Sequence, residues 1–360
     1  MTEQKRVITI KTVTVKNKTE YRVFIGANLL EDCADIVKNE VFKDSLPRRI
    51  FIVSDTTVAP LYADRLTKSL ENAGFEVHLF VFSAGEEHKT PNTLLKIIET
   101  ASDFALDRHD VFAALGGGVT GDLCGLAASL YMRGVRYLQF PTTLLSCIDS
   151  SVGGKTACNT AGGKNLMGAF YNPCAVFADT NTLCTLSKET YNEGIAEAVK
   201  YGLISDKTIL EMLLSDYDVS ELIYRCVGIK AEIVSTDFTE QNRRKILNFG
   251  HTAAHAFERA SGYKISHGNA VAAGIVTAVK YSRNIGVCDK DLLPFILPIY
   301  QKFSLPLTFE LLPHLLIKAA FVDKKSNGEN TDLVLLQDLE KPVILTVSKD
   351  SLKDFFGVNL

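Results

Sequence analysis

Apolar and polar residues alternate along Arg6–Val15 and Tyr21–Ile25, with Lys16–Thr19 between them, which predicts an N-terminal hairpin. Short apolar runs follow. Arg49–Ser54 (RIFIVS) predicts a buried strand, and Glu76–Phe82 (EVHLFVF), Asp110–Leu115 (DVFAAL) and Tyr137–Phe140 predict further strands. Leu61–Ala73, Thr93–Ala105 and Asp122–Tyr131 have helical spacing. Strand and helix in turn mean βαβ units on a parallel sheet. The pattern changes after Asp179. Tyr191–Leu203, Ile223–Ser235, Thr252–Ser261 and Ala270–Ile285 read as long helices, and Asp332–Leu336 with Val343–Thr346 as a small terminal strand pair. The expected fold is α/β plus all-α: a Rossmann-like parallel-sheet domain over residues 1–178 and a helical domain over 179–360.

The 360 residues fit two domains. With 39 Lys+Arg against 42 Asp+Glu, the net charge of −3 excludes a protein that coats nucleic acid, which needs excess positive charge to displace counterions. Val111–Met132 carries only one charge, Asp122, and so imitates a membrane span. Its glycines at 116, 117, 118, 121 and 125 mark a turn between two buried elements instead, and no membrane role is expected. The eight cysteines form no C-x-x-C pair, and the opening MTEQKRVITIKTVTV lacks the apolar stretch of a signal peptide. The thiols therefore read as reduced core residues of a cytoplasmic protein.

Leu115–Asp122 (LGGGVTGD) satisfies G-x-G-x-x-G through Gly116, Gly118 and Gly121, after a predicted strand and before a predicted helix. Glycines let the backbone approach a pyrophosphate, and a helix N-terminus offers unpaired N–H groups. The acid that usually follows about 20 residues later, to bind ribose, is missing. Asp55, at the end of RIFIVS, takes that role in our reading, so the strand order differs from a plain Rossmann fold. Glu86 and Lys89 in SAGEEHK sit at a similar strand end.

His251 and His255 lie at i, i+4 in GHTAAHAFE and share a helix face; His267 follows in a loop, SHGNA. The Glu of H-E-x-x-H is replaced by Thr252, which removes the general base of a zinc peptidase. Two histidines and one carboxylate suffice for a catalytic zinc site with an open position, and Glu197, on another helix with Lys200 one turn on, is the best carboxylate. Spacing alone leaves a metal site and a pair of surface histidines both open. Asp149–Lys155 (DSSVGGK) and Gly163–Asn165 (GKN) read as glycine-rich loops carrying Lys155, Lys164 and Asn165, fit to hold an anion but lacking Walker A spacing. Lys200, Lys230, Arg244 and Lys324-Lys325 add cations, which point to a small polyanionic substrate.

GGGVTGD, YMRGVRYLQFPTTLL, DSSVGGKT, GKNLMGAFYNP, EGIAEAVKYG, RKILNFGHTAAHAFE and HGNAVAAGI occur in this order. Together they closely resemble the dehydroquinate synthases, a family of sugar phosphate cyclases, from Asp55 to Lys325. The resemblance implies NAD and Zn2+ (or Co2+) as cofactors. It implies conversion of a small phosphorylated sugar acid, 3-deoxy-D-arabino-heptulosonate 7-phosphate, to 3-dehydroquinate and phosphate in the shikimate pathway. It further implies a metal on Glu197, His251 and His267, and NAD contacts from Asp55, Glu86, Lys89, Gly117, Gly118, Val119, Asp122, Thr142, Thr143, Lys164, Thr182, Thr185 and Leu186. Substrate contacts fall to Asp149, Lys155, Asn165, Lys200, Lys230, Arg244, Asn248, His255 and Lys324 or Lys325, with Lys155, Asn165, Asn248 and His255 near the phosphate and Lys230 and Arg244 nearer the carboxylate. Arg133 resembles the residue that reaches a neighbouring subunit's site, which implies a homodimer. Cys147, Thr190 and Asn269 depart from the family's usual residues, Gln, Glu and Glu. Other readings are a related cyclase acting on another sugar phosphate, a metal-dependent polyol dehydrogenase, and an inactive NAD- or phosphate-binding regulator.

Overall fold

A computed structural model describes residues 9–323 and 330–357. They group into two compact units: the chain up to Leu186 with Lys230–Phe238, and Ser187–Ile229 with the chain from Thr239 onward.

The first unit is built on a seven-stranded sheet. The expected hairpin is β1 (Lys11–Lys16) with β2 (Glu20–Gly26), antiparallel; residues 6–8 of the predicted first strand lie outside the described residues. Helix α1 (Leu29–Ile36) leads to β3 (Arg49–Asp55), α2 (Ala59–Asn72) and β4 (Glu76–Phe82). Then come α3 (Pro91–Asp103), β5 (Val111–Gly116), α4 (Gly118–Leu130) and β6 (Arg136–Pro141). Strands β7 (Lys155–Thr160) and β8 (Gly163–Phe170) pair antiparallel in a separate hairpin, and β9 (Ala175–Asp179) returns to the sheet. The sheet order is β1-β2-β9-β6-β5-β3-β4, parallel except for β1.

The run Ile50–Val53 within RIFIVS is apolar throughout because both faces of the sheet are covered. Ile50 and Ile52 pack with Leu29, Leu66 and Leu70 of α1 and α2. Phe51 and Val53, one residue out of phase, pack with Leu94, Ile97, Leu123 and Leu126 of α3 and α4. Each such side chain is worth about 1.5–3 kcal/mol when fully buried. The glycine loop's helix begins at Gly118, four residues before the predicted start, because its glycines weaken the local helix signal.

The second unit is mostly helical: α5 (Lys188–Ile204), α6 (Thr208–Leu214), α7 (Val219–Thr236), α8 (His251–Ala260), α9 (His267–Asn284), α10 (Leu293–Phe303), α11 (Pro313–Asp323) and α12 (Leu352–Phe355). The last residues of α7, from Lys230, belong to the first unit. Strands β10 (Asn330–Asp338) and β11 (Lys341–Ser348) form the expected terminal pair. The fold is thus an α/β N-terminal part and a helical C-terminal part. Among the described residues no helix is long and apolar enough to cross a membrane. All eight cysteines are free thiols; Cys184 is exposed, so the expectation that every thiol lies in the core fails there.

Candidate metal and nucleotide sites

Glu197, His251 and His267 come from three helices of the second unit, α5, α8 and α9. Each offers one ligand atom, and these atoms lie within 4.8 Å of one another. Gly268 allows this convergence. A Cβ there would fall 2.4 Å from Glu193 Cα, so only glycine lets α9 lie this close to α5, beside the turn that carries Glu197. His267 is the first residue of α9 rather than a loop residue, and the preceding Ser266 ends the loop in extended backbone.

Glu197 is fully buried, and neither of its oxygens has a hydrogen bond. Lys200 forms an ion pair with Oε2, and the Nε2 atoms of His251 and His267 stand 3.5 and 3.4 Å from Oε1. Burial pushes the carboxyl pKa up, but the Lys200 ammonium and His251 more than offset it, and the net result is a pKa well below the usual range. His251 directs Nδ1 to the Phe249 carbonyl at 3.2 Å, which leaves Nε2 as the ligand nitrogen; burial lowers its pKa. His267 places Nδ1 3.6 Å from Glu258 Oε2. Burial alone would lower the His267 pKa, yet Glu197 and Glu258 raise it to about 10. A buried carboxylate lacking hydrogen bonds, faced by two imidazole Nε2 atoms, fits a divalent ion and explains the orphaned oxygens. His255, half-buried, has its ring 5.7 Å from that of His251 and 6.5 Å from that of His267, and it is not in the ligand set.

In the first unit β5 ends in Gly116, and α4 starts at Gly118 with no side chain capping its N–H groups. A Cβ on Gly117 would meet Thr143 Cγ2 at 3.3 Å, and one on Gly118 would meet Ser150 Oγ at 3.2 Å. The uncapped helix start, with glycines where any side chain would crowd Thr143 and Ser150, fits a dinucleotide's phosphates. Val119 lies in the first turn of α4. Asp55, on the strand beside β5, accepts from the N–H groups of Thr57 and Val58 with Oδ1 (2.9 and 3.0 Å) and from the Thr120 hydroxyl with Oδ2 (3.1 Å). It therefore ties the end of β3 to the first turn of α4.

Lys89 is buried and donates to Asp122 Oδ2 and Asn165 Oδ1, both at 2.6 Å. Burial pulls the Lys89 pKa down, but Asp122 and Glu86 outweigh it and the net shift is upward. Burial raises Asp122 against the pull of Lys89. Glu86 Oε1 accepts from Asn159 Nδ2 at 2.8 Å, and Asn159 Oδ1 accepts from the Asn165 N–H at 2.9 Å. Asn165, assigned by resemblance to the substrate, thus joins residues assigned to NAD. Lys155 opens β7, and Lys164 and Asn165 lie in β8, so the predicted glycine loops are in part this hairpin.

Thr142 is buried with its hydroxyl unpaired, and Thr143 bonds to Ser146. Thr182 donates to the Asp179 carbonyl, Thr185 to the Thr182 carbonyl, and Leu186 follows them at the end of the unit. Lys230 donates to the Asp149 carbonyl and carboxylate at 2.6 and 2.7 Å, which brings two predicted substrate residues together. In the second unit Arg244 is buried, and Asn248 donates to Glu240 Oε1 at 2.7 Å. Arg133 is exposed, in a left-handed turn (φ 68°) between Met132 (47°) and Gly134 (118°). Lys324 and Lys325 lie outside the described residues. Glu240 and Glu258 escaped the sequence reading. Glu258 lies seven residues after His251, a helical spacing that could have revealed it.

Residues 79–193 match the 3-dehydroquinate synthase N-terminal family model, and 194–326 match the C-terminal one. A 3-dehydroquinate synthase of Thermoanaerobacter pseudethanolicus is 39% identical over 352 residues, covering 95% of this chain and 98% of the relative. The solved structure of a 2-deoxy-scyllo-inosose synthase complexed with carbaglucose-6-phosphate, NAD+ and Co2+ aligns with a TM-score of 0.87 at 26% identity, covering 97% of this chain and 100% of that one. A 2-epi-5-epi-valiolone synthase from Streptomyces hygroscopicus with NAD+ and Zn2+ bound aligns with a TM-score of 0.84 at 26% identity, over 95% and 97%. With both parts of one family's pattern matched in order, and 39% identity along nearly the whole length, the chain belongs to the 3-dehydroquinate synthase family.

Proposed function

We propose that the protein converts 3-deoxy-D-arabino-heptulosonate 7-phosphate to 3-dehydroquinate and phosphate, with NAD and Zn2+ or Co2+ as cofactors. The convergence of Glu197, His251 and His267 within 4.8 Å carries this reading, because a family fold without those ligands would not support the chemistry. Glu197, His251 and His267 would hold the ion, which would supply Lewis-acid polarisation of a substrate hydroxyl, and the glycine loop would hold NAD, which would supply a reversible hydride acceptor.

The chain's own residues bind, orient and stabilise charge. Gly117, Gly118 and Val119 present the helix start to the pyrophosphate, with Thr142, Thr143, Thr182, Thr185, Leu186 and Lys164 around the nucleotide. Asp55 serves the ribose. Lys89 and Asp122 fix the wall to which Asn165 is tied; with its Oδ1 held by Lys89, the Asn165 amide nitrogen is left to donate toward an anion. Lys155, Asn165, Asn248 and His255 hold the phosphate, and Lys230, Arg244 and one of Lys324 and Lys325 hold the remaining anionic end. Asp149 fixes Lys230. Lys200 places a positive charge beside the metal ligand Glu197.

Oxidation of one hydroxyl to a ketone makes the neighbouring C–H acidic. The substrate's phosphate accepts that proton as the C–O bond breaks, so the electron pair of the C–H bond becomes the new C=C bond. Reduction of the ketone, ring opening and an intramolecular aldol closure follow, with no net oxidation. Residues 1–178 form the NAD-binding part in this account, lending Asp149, Lys155 and Asn165 to the substrate, and 179–360 form the metal- and substrate-binding part, lending Thr182, Thr185 and Leu186 to NAD. The protein works as a cytoplasmic homodimer. Free thiols support the compartment, and the exposed Arg133 beside exposed Leu130 and Met132 supports the dimer.

The test is an assay with NAD and Zn2+ that follows phosphate and the 340-nm absorbance of NADH together. One phosphate per substrate without accumulating NADH is expected. Accumulating NADH would indicate a polyol dehydrogenase, and absence of phosphate release would defeat the assignment.

A further inference from the structure

We propose that Glu258 is a positioning residue that holds the His267 ring in the orientation and tautomer a metal ligand requires. This rests on the metal reading of Glu197, His251 and His267. The two histidines are anchored differently. His251 directs Nδ1 to a backbone carbonyl, that of Phe249, at 3.2 Å. His267 directs Nδ1 to a carboxylate, Glu258 Oε2, at 3.6 Å, while its Nε2 stands 3.4 Å from Glu197 Oε1. One imidazole thus bridges two acidic side chains, each almost wholly buried.

Helix α8 carries both His251 and Glu258, two turns apart, so one helix supplies a ligand and the group that orients the other ligand. Burying a carboxylate is costly without a partner, and the His267 ring, with Nδ1 3.6 Å from Oε2, is one. With Nδ1 turned to Glu258, Nε2 faces Glu197 Oε1 at 3.4 Å, so an ion that displaced the Nε2 proton would meet both ligand atoms. A carboxylate behind an imidazole also makes its other nitrogen a stronger donor to a metal. The backbone of α8 beyond Glu258 is already secured, because the Glu258 carbonyl accepts from the Tyr263 N–H at 2.7 Å and the Ser261 hydroxyl at 2.9 Å. The carboxylate is therefore not needed to end the helix.

The experiment titrates Co2+ and Zn2+ into the full-length protein and its Glu258→Gln, Glu258→Asp and His267→Ala variants. It reads affinity by chelator competition, the visible Co2+ absorption and the melting curve of each metal-free protein. Glu258→Gln is isosteric; Glu258→Asp keeps the charge. We expect Glu258→Gln to bind both ions roughly 10–100-fold more weakly with an altered Co2+ spectrum, and Glu258→Asp to recover part of the affinity. A Glu258→Gln protein that melts like the parent and binds both ions with unchanged affinity and spectrum would overturn the proposal alone. A parent protein that binds no ion, or a His267→Ala variant that binds as the parent does, would overturn the metal reading and this inference with it.

Discussion

Lys200 forms an ion pair with Glu197, three residues ahead of it on α5, and neither side chain has appreciable contact with water. An ion pair removed from solvent is costly to break from one side, because the remaining charge has lost both its hydration and its partner. Lys200→Met should therefore destabilise chelator-treated protein by about 3–5 kcal/mol. A divalent ion would restore a counter-charge to Glu197, so the loss should shrink in the metal-loaded protein. Melting curves with and without chelator check this. Equal losses in both would mean that Lys200 does not balance the metal ligand.

Metal affinity should rise with pH. In the metal-free cluster the neighbouring Glu197 and Glu258 hold the His267 pKa up at about 10, so its ring carries an extra proton at neutral pH. Glu197, well below the usual range, is already a carboxylate, and His251, lowered by burial, is already neutral. An ion must therefore displace one proton, from His267, and affinity should weaken as pH falls below about 10. Calorimetry in buffers of different ionisation enthalpy should find one proton released per ion near neutrality. Proton uptake, or none moved, would contradict this.

Gly268→Ala should separate α9 from α5. Its Cβ would meet the Glu193 backbone at 2.4 Å, where no flexible side chain can yield. We expect a loss of about 1–3 kcal/mol from overpacking, together with weakened metal binding as His267 moves from Glu197. Gly228→Ala in α7, where a Cβ meets nothing within 4 Å, is the control and should be neutral or slightly stabilising. If both variants melt and bind metal as the parent does, α9 does not depend on that contact.

Lys89→Met should impair NAD more than substrate. It removes both 2.6 Å bonds and leaves the half-buried Asp122 carboxylate without its cation. An affinity loss for NAD of roughly 5- to 150-fold follows from a loss of about 1–3 kcal/mol. Calorimetric titration of NAD, set against the substrate KM, checks this. A KM defect with unchanged NAD affinity would place Lys89 with the substrate.

Much of this architecture was legible as pattern. Doubly buried strands such as RIFIVS announce themselves as unbroken apolar runs, and His251 with His255 by helical spacing. Asp55 is legible as the acid at the end of an earlier strand, and β3 is one of the two strands beside β5. The β7–β8 hairpin was read as loops because its glycines and exposed side chains give no clean alternation. His267 was read as a loop residue because Gly268 and Asn269 are poor helix formers, whereas tertiary packing of α9 overrides that preference. The seven-residue spacing from His251 places Glu258 on the same face of α8, but its partner, His267, belongs to another helix, and that pairing is not written in any local spacing.

Zinc-edge anomalous diffraction from crystals of the zinc-loaded protein tests the central claim most directly. The account predicts one peak bonded to Nε2 of His251, Nε2 of His267 and an oxygen of Glu197, each at about 2.0–2.2 Å. Zinc bound elsewhere, or no ion among these three side chains, would contradict it.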